Sequence, residues 1–186
     1  MQSSRPLFVI VSGAPGSGKT TLAGRLAADT DLTLLSKDAL KEALSDALGH
    51  PETVAASSLL GVGAYAAMFA MTRALLATGA GVAVESNFRR GLSEPELTEA
   101  SHEADVRVIH CVAEPVTINR RYGDRAVERH AAHLDAARHQ DVMRELLDGR
   151  YEALEIDAPL LIVRTDEGYE PPYEEVRTFA GRGAPA

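Results

Sequence analysis

Eight residues near the start, Gly13-Ala14-Pro15-Gly16-Ser17-Gly18-Lys19-Thr20, constrain this chain more than anything else in it. They fill every fixed position of the G-x-x-x-x-G-K-[ST] signature. An apolar run, Leu7-Phe8-Val9-Ile10-Val11, precedes them, and a helical stretch from about Lys19 to Ala28 follows. Strand, glycine-rich turn and helix in that order build a cradle for a polyphosphate. The glycines let the backbone take positive φ and come close to the anion. The turn's amides and the free N–H groups of the helix start favour negative charge there. In such a loop Lys19 brings its charge to the β- and γ-phosphates, and the Thr20 hydroxyl is a magnesium ligand. Thr21, next on the helix, joins the expected nucleotide contacts. The expected ligand is ATP with Mg²⁺. The plain alternative is a turn that holds nothing, but the strand before and the helix after supply the context that the signature needs.

Further apolar runs alternate with helical stretches. Strands are expected at Leu32–Leu35, Gly81–Val84, Val106–Val112 and Leu160–Val163. Helices are expected at Asp38–Leu48, Glu52–Ala77, Glu94–Ala104, from Pro115 to about His130, at Gln140–Leu147 and from Pro172 to Ala180. Strand–helix alternation implies a parallel sheet with helices on both faces. No repeat or linker divides the 186 residues, so one domain is expected over 1–186, with a lid segment at about 115–140.

Composition narrows the function. The net charge is −8, which argues against a polynucleotide partner, since gripping a phosphate backbone usually takes a basic face. Cys111 is the single cysteine, which excludes an internal disulfide and a thiolate cluster and reads as inert core. Leu7–Val11 is too short for a signal-peptide core, so the cytoplasm is the expected compartment. Val54–Thr72 lacks charge over nearly a membrane-spanning length, but alanine dominates it and Ser57, Ser58, Gly61 and Gly63 interrupt it. A buried or half-buried helix, with no membrane partner, is expected.

A GTP-dependent switch would carry N-K-x-D after a later strand, and the chain has none. Asp46-Ala47-Leu48-Gly49 fits D-x-x-G but lies at a helix end. A mechanical ATPase would need an acidic pair after an apolar strand; here that strand ends Val84-Glu85-Ser86. Phosphoryl transfer to a hydroxyl needs a carboxylate near the acceptor, cations on the transferring group and a cover against water. Asp38 follows the second strand, so it should sit at the sheet edge that holds the phosphate loop, as base or helix cap. Lys41, three residues on, shares its helix face and could hold an anionic acceptor, or be merely solvated. Glu85 ends the third strand; it could order magnesium's water or touch the acceptor, with Asn87 and Arg89 in the same pocket. Tyr65, Met68 and Phe69 are either acceptor walls or core.

Arg121, Arg125 and Arg129, spaced by four, would align on one helix face able to close over ATP and neutralise γ-phosphoryl charge. Arg120 lies beside them. The alternative is a solvated helix paired to Asp124 and Glu128. His130, His133 and Asp135 have a spacing that a metal could use, but lack a further convergent ligand.

In the Gly13–Thr20 loop, Ser36-Lys37-Asp38 with Lys41, Val84-Glu85-Ser86-Asn87-Phe88, the arginine segment and Thr165-Asp166, the chain resembles a group of P-loop kinases. That group includes chloramphenicol phosphotransferase, zeta toxins and the kinase domain of polynucleotide kinase. The resemblance covers most of the chain to about Asp135, and only the phosphate loop is sharply specific. It implies a three-layer α/β/α P-loop NTPase fold with strand order 2-3-1-4-5 and a helical lid. It also implies ATP as donor, Asp38 as the acceptor-side base and lid arginines. Lys41 stands where polynucleotide kinases carry arginine, a better bidentate phosphate clamp. The expected acceptor is therefore a hydroxyl of a small molecule. A nucleotide sugar, a polynucleotide 5′-hydroxyl or a non-catalytic ATP-binding module are the alternatives.

Overall fold

The computed structural model describes residues 5–126 and 130–181, without the side chains of 125–126 and 135–137. Five strands form one parallel sheet: β1 (Leu7–Gly13), β2 (Thr33–Ser36), β3 (Val82–Glu85), β4 (Asp105–Val112) and β5 (Leu160–Arg164). Their spatial order is β2-β3-β1-β4-β5, with β1 central. Every residue of β1 is buried, which is why it reads as an unbroken apolar run. The helices are α1 (Lys19–Asp29), α2 (Lys37–Leu48), α3 (Val54–Ala77), α4 (Glu94–Ala100), α5 (Pro115–Ala126), α6 (Asp135–Leu147) and α7 (Tyr173–Ala180).

Alternating residues of β1 point into two cores. Val9 and Val11 pack with Leu22, Leu26 and Val176 of α1 and α7 on one face. Phe8 and Ile10 pack with Met68, Phe69, Leu97 and Phe88 on the other. Met68 and Phe69 are therefore core residues. Among the described residues, α3 is the one helix long and apolar enough to cross a membrane by length and composition, with a mean hydropathy of 1.6. It buries Ser57, Gly61, Ala64, Met68, Thr72 and Leu76, a stripe at spacings of three and four, and leaves Leu59 and Val62 exposed.

Among the described residues, two boundaries lie more than two residues from the pattern. α4 stops at Ala100 because Ser101 and Ala104 close turns that deliver Asp105 to its strand, where its N–H bonds Pro6 O at 2.8 Å. α6 begins at Asp135, five residues before the apolar periodicity makes it visible, since polar His139 and Gln140 interrupt the stripe.

One polar pair lies inside the second core. Ser12 of β1 and His110 of β4 are register partners, and Ser12 Oγ lies 2.9 Å from His110 Nδ1. Burial pushes the imidazole down to about 4. The unfolded chain takes up this proton near pH 6.5 whereas the folded one does not, so His110 costs stability as pH falls from 6.5 toward 4. Between pH 7.5 and pH 5 that loss should be about 2 kcal/mol. Urea unfolding of the wild type and of His110→Asn at both values should show the variant losing less.

Candidate functional site

The phosphate loop occupies the turn from β1 into α1 and is shaped by three glycines at positive φ, of 142° at Gly13, 86° at Gly16 and 79° at Gly18. A Cβ on Gly13 would lie 2.4 Å from Cys111 O, and one on Gly18 would lie 3.1 Å from Thr165 Oγ1. The loop is thus packed against the ends of both β4 and β5. Its rim is tied by Thr165 Oγ1, which donates to Ser17 O at 2.8 Å. Helix α1 has Gly18 as its N-cap residue, with no side-chain cap and no acidic residue in its first turn. Its leading N–H groups and positive dipole end therefore meet no protein carboxylate from the helix itself, which suits an anion. Among the described residues, Ser17 Oγ finds no hydrogen-bond partner and is buried beside this cradle. Burial pushes the Cys111 thiol up to about 12, so the cysteine under the loop is neutral and inert.

Lys19 is only 4% exposed. Its Nζ donates to Ala14 O at 3.3 Å and lies 3.8 Å from Glu85 Oε1. Thr20 Oγ1 donates to Glu85 Oε1 at 3.1 Å, and Ser36 Oγ donates to Glu85 Oε2 at 2.8 Å. Glu85 arrives because β3 lies between β1 and β2, with Val11↔Glu85 and Ser36↔Glu85 in register. One buried carboxylate thus joins the Thr20 hydroxyl of α1 and the Ser36 hydroxyl at the end of β2 to the phosphate-loop lysine. This cluster fits a divalent cation: a hydroxyl oxygen and a carboxylate, both hard donors, lie within 3.1 Å of each other next to the anion cradle. Ser36 carries no signature that the sequence alone would reveal.

Asp38 stands in the first turn of α2, two residues beyond Ser36, on the same sheet edge. Lys37 Nζ pairs with its Oδ1 at 3.0 Å. Opposite them Tyr65 OH and Ser86 Oγ are 2.8 Å apart. Burial pushes the Tyr65 hydroxyl up to about 12 despite that hydrogen bond, with the Asp38 charge adding to the rise.

Other expected contacts are held differently. Lys41 is buried, and its Nζ donates to Ser57 Oγ at 2.6 Å; that hydroxyl in turn donates to Ala132 O at 2.9 Å. His133 meets Glu42 and His130 meets Asp46, each at 3.0 Å, so the segment following α5 is fastened to α2. Among the described residues no group of three or more His, Cys, Asp or Glu is placed to hold a metal. Arg89 spans both oxygens of Glu145 at 2.8 and 3.0 Å, while Asn87 is half-buried nearby.

Arg121 donates to Thr165 O at 2.7 Å, to Asp166 O at 3.1 Å and to Thr165 Oγ1 at 3.2 Å. With Gly16, Gly18, Lys19, Thr20, Thr21, Thr165, Gly168 and Tyr169 it lines a groove of about 480 Å³ leading away from the phosphate loop. Arg129 and the side chain of Arg125 lie outside the described residues.

Comparison with known proteins agrees with this geometry. The sequence profile of a family described as AAA domain matches residues 8–147. A candidate kinase from Chloroflexus aurantiacus J-10-fl is similar in structure, with TM-score 0.83 and 26% identity over 98% of this chain and 100% of that one. Kti12 of Chaetomium thermophilum, solved with ADP-AlF3, has TM-score 0.63 and 21% identity over 95% and 100%. A gluconokinase from Sinorhizobium meliloti 1021 has TM-score 0.55 and 17% identity over 97% and 92%. Among curated proteins none matches the chain. The chain belongs to the AAA domain family, with the fold and phosphate loop of the P-loop kinases.

Proposed function

We propose that the protein is a phosphotransferase that moves the γ-phosphoryl group of Mg·ATP to a hydroxyl of a small molecule, in the cytoplasm. The observation that carries this reading is the Thr20–Glu85–Ser36 cluster, which joins the phosphate cradle to the start of the helix bearing Asp38. A protein that only senses ATP has no need of an acceptor-side carboxylate such as Asp38.

ATP would lie with its triphosphate on the Gly13–Thr20 loop and its base in the groove beside Arg121 and Tyr169. Thr20 would hold the magnesium of Mg·ATP and Glu85 would order its water, and the bound ion would supply neutralisation of phosphate charge. Asp38 would accept the proton of the acceptor hydroxyl as its oxygen bonds to phosphorus and ADP leaves. The acceptor's wall would be Tyr65, Ser86 and Asn87. Arg89 would hold that wall through Glu145, a role distinct from clamping an anion. Support for a small acceptor comes from the net charge of −8 and from Lys41, whose ammonium is turned into the protein. The gluconokinase neighbour shares the fold, and its name fits a polyhydroxylated acceptor.

The test is transfer of ³²P from ATP across sugars, antibiotics, nucleosides, nucleotide sugars and oligonucleotides. Asp38→Asn should lower transfer about a hundredfold while the affinity for ATP stays within about twofold. Tight ATP binding with no transfer to any acceptor would reject the reading, and transfer confined to oligonucleotides would replace the small-molecule acceptor.

A further inference from the structure

The first residue of α2 is a lysine, which is the wrong charge for a helix N-terminus. A lysine there would ordinarily extend into water. Lys37 instead folds inward, and its side chain is only 13% exposed. Its Nζ lies 3.0 Å from Asp38 Oδ1 and 5.8 Å from the centre of the Tyr65 ring. Gly61 of α3 faces it, and a Cβ there would sit at ordinary contact distance, 3.9 Å from both Cε and Nζ. Burying a cation against the helix dipole has a cost, which the carboxylate and the ring face offset. Departures from local preference of this kind gather at functional sites.

We propose that Lys37 is a positioning residue that holds the Asp38 carboxylate ionised and in one rotamer. This rests on the reading of Asp38 as the acceptor-side base. A base paired to a lysine stays charged at lower pH than one facing apolar walls, so it remains competent across the neutral range. The pairing also removes rotamer freedom from a side chain that must meet the acceptor in one geometry. Among the described residues, the other charged or titratable groups of this corner include Lys41 one turn on, Tyr65 from α3, Glu85 at the end of β3 and Arg89 in the loop after it. Asp38, Glu85 and Arg89 all bear on the Tyr65 hydroxyl.

The experiment is a ¹³C NMR titration of the Asp38 carboxyl in the whole protein without nucleotide, its signal assigned with Asp38→Asn. In Lys37→Met, which keeps the stem's volume, the midpoint should rise by about one pH unit. Lys37→Arg should stay near the wild type, and Gly61→Leu, which fills the ammonium's place, should reproduce the rise. An unchanged midpoint in Lys37→Met overturns the proposal. No turnover is needed, so this outcome is separate from the fate of the kinase reading. With the acceptor that transfers best in the ³²P panel, Lys37→Met should lower kcat about tenfold and leave KM for ATP unchanged. A raised KM for ATP with kcat intact would overturn it as well.

Discussion

Replacing Lys19 with methionine should lower phosphoryl transfer by about a thousandfold while the protein remains folded. The size of the effect follows from where the charge sits. Lys19 is buried at the mouth of α1, so its ammonium acts on the phosphates with little screening by water. The fold should survive because Glu85, which loses its lysine neighbour, keeps hydrogen bonds from Thr20 and Ser36. Methionine also fills nearly the same volume. The measurements are single-turnover transfer and unfolding midpoints in urea. Transfer within tenfold of wild type would remove Lys19 from the chemistry and the phosphate loop from its role.

Gly13→Ala should act through the backbone and cost both binding and stability. At φ 142° an L side chain is strained, and its Cβ would lie 2.4 Å from Cys111 O and 2.6 Å from Ser17 Oγ. Cys111 O cannot retreat, because β4 is paired to β1 on one side and β5 on the other. The loop must therefore move, and its amides with it. We expect a destabilisation of about 2–4 kcal/mol and a loss of ATP affinity of at least about a hundredfold. Calorimetric titration with Mg·ATP and urea unfolding would read the two effects separately. Gly24→Ala is the control: it lies on α1 with nothing within 4 Å of the new Cβ, and should be neutral or stabilising by up to about 1 kcal/mol. Equal affinities in Gly13→Ala and wild type would mean that the loop tolerates the shift.

The parts of this molecule that can be read from its sequence are those in which a local pattern has one physical solution. Val9 and Val11 face one core, Phe8 and Ile10 the other, and such a run can only be a central strand. The phosphate loop needs glycine at fixed offsets, so its spacing is a signature. The edge position of Asp38 follows from parallel topology alone. The rest depends on meetings between distant segments. Nothing in Ser36 or Thr20 announces that both will bond Glu85, 49 and 65 residues away. Lys41 reads as a clamp for an anionic acceptor or as a solvated charge until α3 brings Ser57 over it. Arg89 reads as a substrate-pocket residue beside Glu85 until α6 supplies Glu145. The α6 start is hidden because its first two turns carry polar residues that break the apolar rhythm.

The contacts of Cys111 O under Gly13 and of Thr165 over Gly18 have a thermodynamic corollary. A socket clamped from two strands before any nucleotide arrives has already surrendered its conformational entropy during synthesis and folding. Association then forfeits mainly the ligand's own freedom, so more of the contact energy should appear as affinity. Amide exchange across residues 13–18 should accordingly be slow in the nucleotide-free protein and change little on saturation, with the new protection concentrated elsewhere.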